Sequence, residues 1–370
     1  MKFHCKIKNL NAYLLVLHNG IFDQKSMRHF APPKGVEITP LVRTSTSVPK
    51  VGTDCKSAPA DTEKTGNFRI EVAPNTVIEK PLQLVNIIDT AEPLDVVHAF
   101  EIVVGQGSSL SLIHCDESLN QVENTIQSNI SIELKSHSTL HYYNLQNINN
   151  YSTLNNETLV KQHEHSHLIS HTYTLNGKTL NKHQVVDFTE ESANADIQGL
   201  YLLDKNQECS HRIRLNHNFP NGQSNQLFKG ILDDSAKVFF EGRILVAKNA
   251  QKTEAIQNNK NILLTNKANV QTHPFLEIYA DDVKCSHGAT IGQIDENALF
   301  YLRTRGIAEK QAKTLLMYAF SNDVVRNVHL KPLREYLENI IKRRLNGESI
   351  TCEDCVFSYE KDTINKKTHK

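Results

Sequence analysis

The sequence predicts an all-β core wound as a parallel β-helix, or solenoid, followed by a small α-helical subdomain. Three observations carry this prediction: short runs rich in Val, Ile, Leu and Thr with too little chain between them for crossover helices; a loose repeat of about thirty residues; and a switch to helical periodicity at Asp295.

At the start, "MKFHCKIKNLNAYLLVLHNG" holds an apolar run, Ala12 to Leu17, that is shorter than a signal-peptide core and lacks a small-residue cleavage site. It reads as a strand ending at the Asn19-Gly20 turn. Polar, aperiodic sequence with Pro and Gly then fills Ser45 to Gly66, a loop signature. Strand runs follow: "NFRIEV", "LQLVNII", "FEIVV", "SLSLIH", "ISIEL", "TLHYY", "VFFEGRILV" and "NILLT". On top of them, Leu110, Leu140, Leu168, Ile197, Val238 and Val270 recur at roughly thirty-residue intervals with one longer step, as coils do when each covers the apolar face of the next. Strand spacing alone also fits a β-sandwich. From Asp295, an N-cap residue type, "DENALFYLRTRG" runs to a stop at Gly306. Ala312, Leu315, Leu316, Ala319 and Phe320 then form one helical stripe, and Leu333, Leu337, Ile340, Ile341 and Leu345 form a second after Pro332. The expected divisions are 1–66 (strand and loop), 67–294 (β-helix), 295–346 (helices packed on or projecting from it) and 347–370 (a polar tail).

Composition narrows the function. Lys plus Arg and Asp plus Glu both number 41, so no net charge points to nucleic acid or an anionic membrane as partner. No run approaches the ~20 apolar residues of a membrane span. Seven cysteines, an odd number scattered over 370 residues without export signals, suit reduced thiols in a cytoplasm. There is no phosphate-binding Gly-Lys-Ser/Thr loop and no serine elbow, which argues against nucleotide hydrolysis by this chain.

The stretch "EIYADDVKCSHGATIG" carries the main chemical signal. Alternation along a strand puts Cys285 and His287 on one side and Ser286 on the other. A thiol and an imidazole so placed can offer S and N ligands to one iron or zinc ion, but two ligands do not close a site. A half-buried thiol beside a hydrogen-bonded surface histidine fits the same pattern. Cys209-Ser210-His211 repeats the tripeptide, with His217 six residues on. His163, His165 and His167, with His171 in phase, read as a strand-face row that is either a polar ladder or a chance metal binder. Cys352 and Cys355 have zinc or redox spacing without a second pair to complete it. His114 and Cys115 fall on opposite faces, which argues against joint ligation, and Asp281-Asp282 fails in the same way as an acid–base pair. The run Lys342-Arg343-Arg344 reads as a solvated helix face.

"KGILDDSAKVFFEGRILVAKNAQKTEAIQNNKNILL" and "PFLEIYADDVKCSHGATIGQIDENALFYLRTRGI" resemble the SufB/SufD family of SUF-system iron–sulfur cluster assembly scaffold subunits, and its SufD branch in particular. The likeness is specific over about residues 215 to 320, weaker over 70 to 214, and recognisable again in "LVLHNGIFD" and "PPKGVEITPL". It implies a right-handed parallel β-helix with helical ends. It also implies pairing with a SufB-type subunit through the β-helix, and docking of the ABC-type ATPase SufC through the helices after 295. His287 matches the family histidine at the SufB interface, and Cys285 the cysteine beside it; both would serve a nascent cluster shared with the partner. "SHGAT" at 286–290, where SufB has "EHEAT", favours the SufD branch. The family's usual N-terminal helical region is not found before the β-helix, and the 45–66 loop stands in its place.

The resemblance thus implies a cytoplasmic, non-catalytic scaffold in which ATP-driven motion of SufC rearranges the SufB–SufD interface. A transient Fe–S cluster would be cargo, with no cofactor held permanently by this chain alone. Unpaired strand edges make a homodimer of the isolated chain an expected side product. The competing classes are a β-helix enzyme acting on polysaccharides, which would need export and a charged groove, and a purely structural solenoid with inert Cys and His.

Overall fold

The computed structural model describes residues 2–5, 7–22, 32–41, 66–348 and 357–360. The chain opens with β1 (Lys2–Cys5), β2 (Tyr13–His18), β3 (Ile21–Phe22), β4 (Val36–Pro40) and β5 (Phe68–Val72). Fifteen further strands climb the solenoid. The lower ones are β6 (Leu82–Ile88), β7 (Asp95–Val104), β8 (Ser109–Ser118), β9 (Thr125–Leu134) and β10 (Thr139–Asn147). Next come β11 (Thr153–Gln162), β12 (His167–Asn176), β13 (Thr179–Phe188), β14 (Asn194–Leu203) and β15 (Glu208–His217). The last are β16 (Gln223–Leu232), β17 (Lys237–Val246), β18 (Glu254–Leu263), β19 (Asn269–Ile278) and β20 (Lys284–Gly292). Helices α1 (Glu296–Thr304), α2 (Glu309–Val325) and α3 (Lys331–Leu345) follow, and β21 (Phe357–Glu360) pairs antiparallel with β1.

Successive strands alternate between two sheets, giving a β-solenoid of about eight turns. β2 and the even-numbered strands from β6 to β20, with β3 at the rim, form a ten-stranded sheet, and odd-numbered strands from β5 to β19, with β4 at the rim, form a nine-stranded one. The fold class expected from the sequence is therefore the observed one. The repeat, however, is two columns rather than one. Leu110, Leu140 and Leu168 are in register on β8, β10 and β12, and the next residue in their column is Ala195, not Ile197. Val238 and Val270 stack on Leu180 and Cys209 in the other sheet. Both sheets share the period of one coil, so spacing alone merges them.

The corners explain why strand pairing repeats so evenly. His137, His165, Ser192, Asn221 and Lys252 all adopt positive φ, a costly conformation outside Gly and Asn. It aims each N–H along the solenoid axis at the next coil: His137 donates to Glu164 O at 2.8 Å, Ser192 to Pro220 O at 3.0 Å and Asn221 to Gln251 O at 2.9 Å. The turn after β2 also holds, with Asn19 at φ 52° and Gly20 at φ 74° turning the chain into β3.

One apolar core fills the space between the sheets, from Leu15 and Phe68 up to Phe240 and Val270. A second lies outside the ten-stranded sheet, where Val85, Cys115, Tyr143, Tyr173 and Leu200 meet Met317, Val324, Leu337 and Ile341 of α2 and α3. Helices α2 and α3 are thus packed on the sheet rather than projecting from it. This accounts for strands such as β6, buried along its whole length: both of its faces are covered. Asp295 caps α1, accepting from the N–H groups of Asn297 (2.9 Å) and Ala298 (3.1 Å), and Gly306 at φ 84° ends the segment. Pro332 sits in the first turn of α3. The basic run at its end is only partly a solvated face. Arg344 is nearly buried, bonding Asn176 Oδ1 at 2.9 Å and pairing with Asp204 at 3.2 Å, and so ties α3 to the sheet. The 45–66 loop lies, up to residue 65, outside the described residues, as does most of the tail.

Candidate functional site

The two ends of the solenoid differ. At the N-terminal end the antiparallel strands β3 and β4 terminate the sheets. At the other end β19 and β20 are parallel edge strands with no further strand beside them among the described residues. An edge of this length presents a row of unpaired N–H and C=O groups, a template for another chain. Apolar side chains surround it: Phe275, Ile278, Tyr279 and Ile291 are exposed on or next to the edge strands, and Phe300 and Tyr301 on α1.

Cys285 and His287 lie on β20, in register with Ala255 and Gln257 of β18. Those two residues are wholly buried between the sheets, so the cysteine and histidine occupy inward-facing columns on the last coil, which has no coil above it among the described residues. Cys285 is half-buried against the small cluster of Ile244, Val246, Ala250, Ala255 and Ala280, while His287 is exposed. Burial pushes the Cys285 thiol above its ordinary range, offset in part by a hydrogen bond with the Ala255 backbone. It must therefore lose a proton to become a ligand, which makes metal binding there pH-dependent.

The column beneath His287 turns polar toward this end. It runs Leu112, Tyr142, Ser170, Ile197, Gln226, Gln257, His287. Gln226 and Gln257 are fully buried, and the Gln226 amide and Gln257 Oε1 have no hydrogen-bond partner among the described residues. Gln257 Nε2 donates to Gly242 O at 3.2 Å. Beside them Tyr201 donates to Asn261 Oδ1 at 2.5 Å and accepts from Asn259 Nδ2 at 3.0 Å. Chemically, the last coil offers one sulfur and one nitrogen ligand on a face open to a second molecule. Among the described residues no third His, Cys or carboxylate converges on them, and a tetrahedral centre needs two more ligands.

The other sequence candidates are dispersed. Cys209 and His211 do share an inward face, but they are sealed in mid-solenoid; burial pushes the thiol up to about 12 and holds the imidazole neutral. His217 bonds Ser224 Oγ at 2.9 Å. The supposed histidine row is broken by a corner. His163 sits between Glu133 and Glu190, His165 is the corner residue itself and stacks on His137, His167 pairs with Asp196, and His171 is buried against Tyr143 and Tyr173. A strand-face pattern failed there because the turn begins at His163, after β11 ends. Cys352 and Cys355 lie outside the described residues. His114 and Cys115 face opposite ways as expected, with Cys115 in the helix-facing core.

The class the fold defines is a parallel β-solenoid whose last coil leaves two edge strands unpaired among the described residues. The family model for the SUF system FeS cluster assembly SufBD core domain matches residues 87–320, which include β20 and α1, and the chain belongs to that family. It is 33% identical over 273 residues to the iron–sulfur cluster assembly protein SufD of Escherichia coli, covering 72% of this chain and 64% of that protein. It is 39% identical over 171 residues to an iron–sulfur cluster assembly SufBD family protein of Synechocystis, covering 45% of this chain and 37% of the relative. A third relative, the chloroplastic protein ABCI7 of Arabidopsis thaliana, is 39% identical over 132 residues, 35% of this chain and 27% of its own length. The chain thus spans less than two thirds of the length of the relatives it matches. Among the described residues no helix is long and apolar enough to cross a membrane.

Proposed function

We propose that this chain is a non-catalytic scaffold subunit for iron–sulfur cluster assembly that pairs, through the edges of β19 and β20, with a SufB-type subunit. Cys285 and His287 supply its half of a shared site for the nascent cluster, which is cargo rather than a resident cofactor. The observation that carries this reading is the last coil, where the sulfur–nitrogen pair and the unpaired edges coincide. A SufC-type ATPase docks on the helical subdomain; the exposed Phe300 and Tyr301 of α1 and Leu315 of α2 are its contact residues. Because α2 and α3 are bonded to the outer sheet, a pull on them reaches the strands.

The test is coexpression with SufB- and SufC-type counterparts, comparing wild type, Cys285→Ala and His287→Ala for complex formation and for cluster content by absorption and iron and sulfide analysis. His287→Ala is expected to form the complex at wild-type stoichiometry yet assemble at least roughly tenfold less cluster, the scale of losing a metal ligand or its support. Wild-type cluster content in both variants would remove Cys285 and His287 from the site, and failure of the wild-type chain to enter any complex would remove the scaffold role.

A further inference from the structure

Midway along the solenoid the interior holds a closed polar cavity that the assembly role does not use. Asn156 on β11, Lys182 on β13 and His211 on β15 are in register on neighbouring strands of the nine-stranded sheet. All three face inward and line one side of a cavity of about 20 Å³, which Tyr142, Ser170 and Phe228 of the other sheet help to close. They are 9%, 8% and 3% exposed. Asn156 Nδ2, Lys182 Nζ and His211 Nε2 have no hydrogen-bond partner among the described residues.

The polar groups around them are already engaged. Asn156 Oδ1 accepts from Thr158 Oγ1 at 3.1 Å, which orients the amide nitrogen. The Tyr142 hydroxyl meets His114 Nδ1 at 2.9 Å, and Ser170 Oγ accepts from Gln184 Nε2 at 3.5 Å. Cys209, two residues before His211 on the same inward face, is held as a neutral thiol by burial and supplies no counter-charge. A buried ammonium without a negative partner is costly. Burial accordingly brings Lys182 down to about 7, although Cys209 and Asp116 act the other way, and an anion beside Nζ would keep the proton on. Water serves this wall less well. It has two hydrogens of its own to donate, whereas the free side-chain atoms here are three nitrogens, of which the Lys182 ammonium and the Asn156 amide only donate. An anion accepts from all three, with His211 in its Nε2–H tautomer.

We propose that Asn156, Lys182 and His211 form a buried site for one monovalent anion with a single heavy atom, a halide or hydrosulfide. The volume sets the size limit. A water-sized particle needs roughly 10–15 Å³, so the cavity admits one such ion and excludes sulfate, phosphate and carboxylates. Bound there, the ion neutralises Lys182 and ties three neighbouring strands together across their side chains. Since the cavity is closed, the ion enters as the coils form or open locally. The inference does not depend on Cys285, His287 or a partner subunit.

The test uses the full chain, unfolded in urea and refolded with bromide, with hydrosulfide under anaerobic conditions, or with gluconate, which is too large for the cavity. After dialysis into gluconate, the retained ion and the melting temperature are measured. Wild type is expected to keep about one ion per chain and to melt higher with it than after refolding in gluconate; the arm that retains its ion distinguishes a halide site from a hydrosulfide site. Lys182→Met removes the buried charge and keeps the packing. It should hold at least roughly tenfold less ion and melt at the same temperature in all three arms. Asn156→Asp gives the ammonium a carboxylate partner within the chain and should displace the ion likewise. Less than about 0.1 ion per wild-type chain in both arms, or retention by Lys182→Met equal to wild type, would overturn the site. If a variant fails to fold, the ion content of wild type decides alone.

Discussion

Lys229 is the sharpest test of how the helices hold the solenoid. It projects from β16 on the outer face, almost wholly buried under α2. Its Nζ donates to Asp323 Oδ2 at 2.6 Å and to Phe320 O at 3.0 Å, and lies 4.2 Å from the centre of the Phe320 ring. Truncating Asp323 to Ala leaves the buried ammonium with a carbonyl and a ring. Breaking a fully buried pair costs about 3–5 kcal/mol; since Asp323 is itself 44% exposed, screening brings the expected cost to about 1–3 kcal/mol. Lys229→Met removes the buried charge and keeps the packing, leaving Asp323 to water, and should cost less than about 1 kcal/mol. The more exposed partner is therefore the costlier one to lose. Burial works to raise the Asp323 carboxyl, but the hydrogen bond and charge of Lys229 prevail and hold it below the ordinary carboxylate range. With the folded pKa depressed, its stabilisation is present above the unfolded pKa of about 3.9 and lost as pH falls through the folded value. Hydrogen exchange of α2 and α3 is the assay. Asp323→Ala should exchange faster at pH 7 and converge on wild type in acid. Wild-type protection in Asp323→Ala with loss in Lys229→Met would refute this account.

Gly199→Ala should destabilise the core by about 1–3 kcal/mol in a denaturant titration, because a Cβ there would lie 2.2 Å from a Phe228 ring carbon and that ring is itself packed against Phe240 and His211; an unchanged midpoint would show that the ring moves freely. Asp295→Ala should cost α1 about 1 kcal/mol, seen as faster exchange at Asn297 and Ala298 with no change in the solenoid amides. If the isolated chain self-pairs through β20, Ile291→Lys should shift it toward monomer in sedimentation velocity, as charges on edge strands do, and an unchanged distribution would place self-pairing elsewhere.

The fold was legible because its repeat is written in local spacing: Leu110, Leu140 and Leu168 announce coils, and the switch at Asp295 announces helices. What spacing could not supply was partition in three dimensions. Leu168 and Val238 look alike in sequence yet belong to different sheets, and the covering of the outer face was hinted at only by runs such as "LQLVNII" that lack polar alternation. Cys285 and His287 were readable as a same-face pair from alternation alone, whereas their position on an uncovered coil needed the topology. The histidines at 163–171 misled because a corner residue with positive φ, His165, carries no mark distinguishing it from a strand residue.

The central claim is that the last coil is the surface on which the partner subunit completes the site. Hydrogen exchange of this chain, alone and with its SufB-type partner, reads it directly. Slowed exchange concentrated in Asn269–Ile278 and Lys284–Gly292, with β3 and β4 unchanged, is the predicted result. Protection that leaves β19 and β20 exchanging as in the free chain would contradict it.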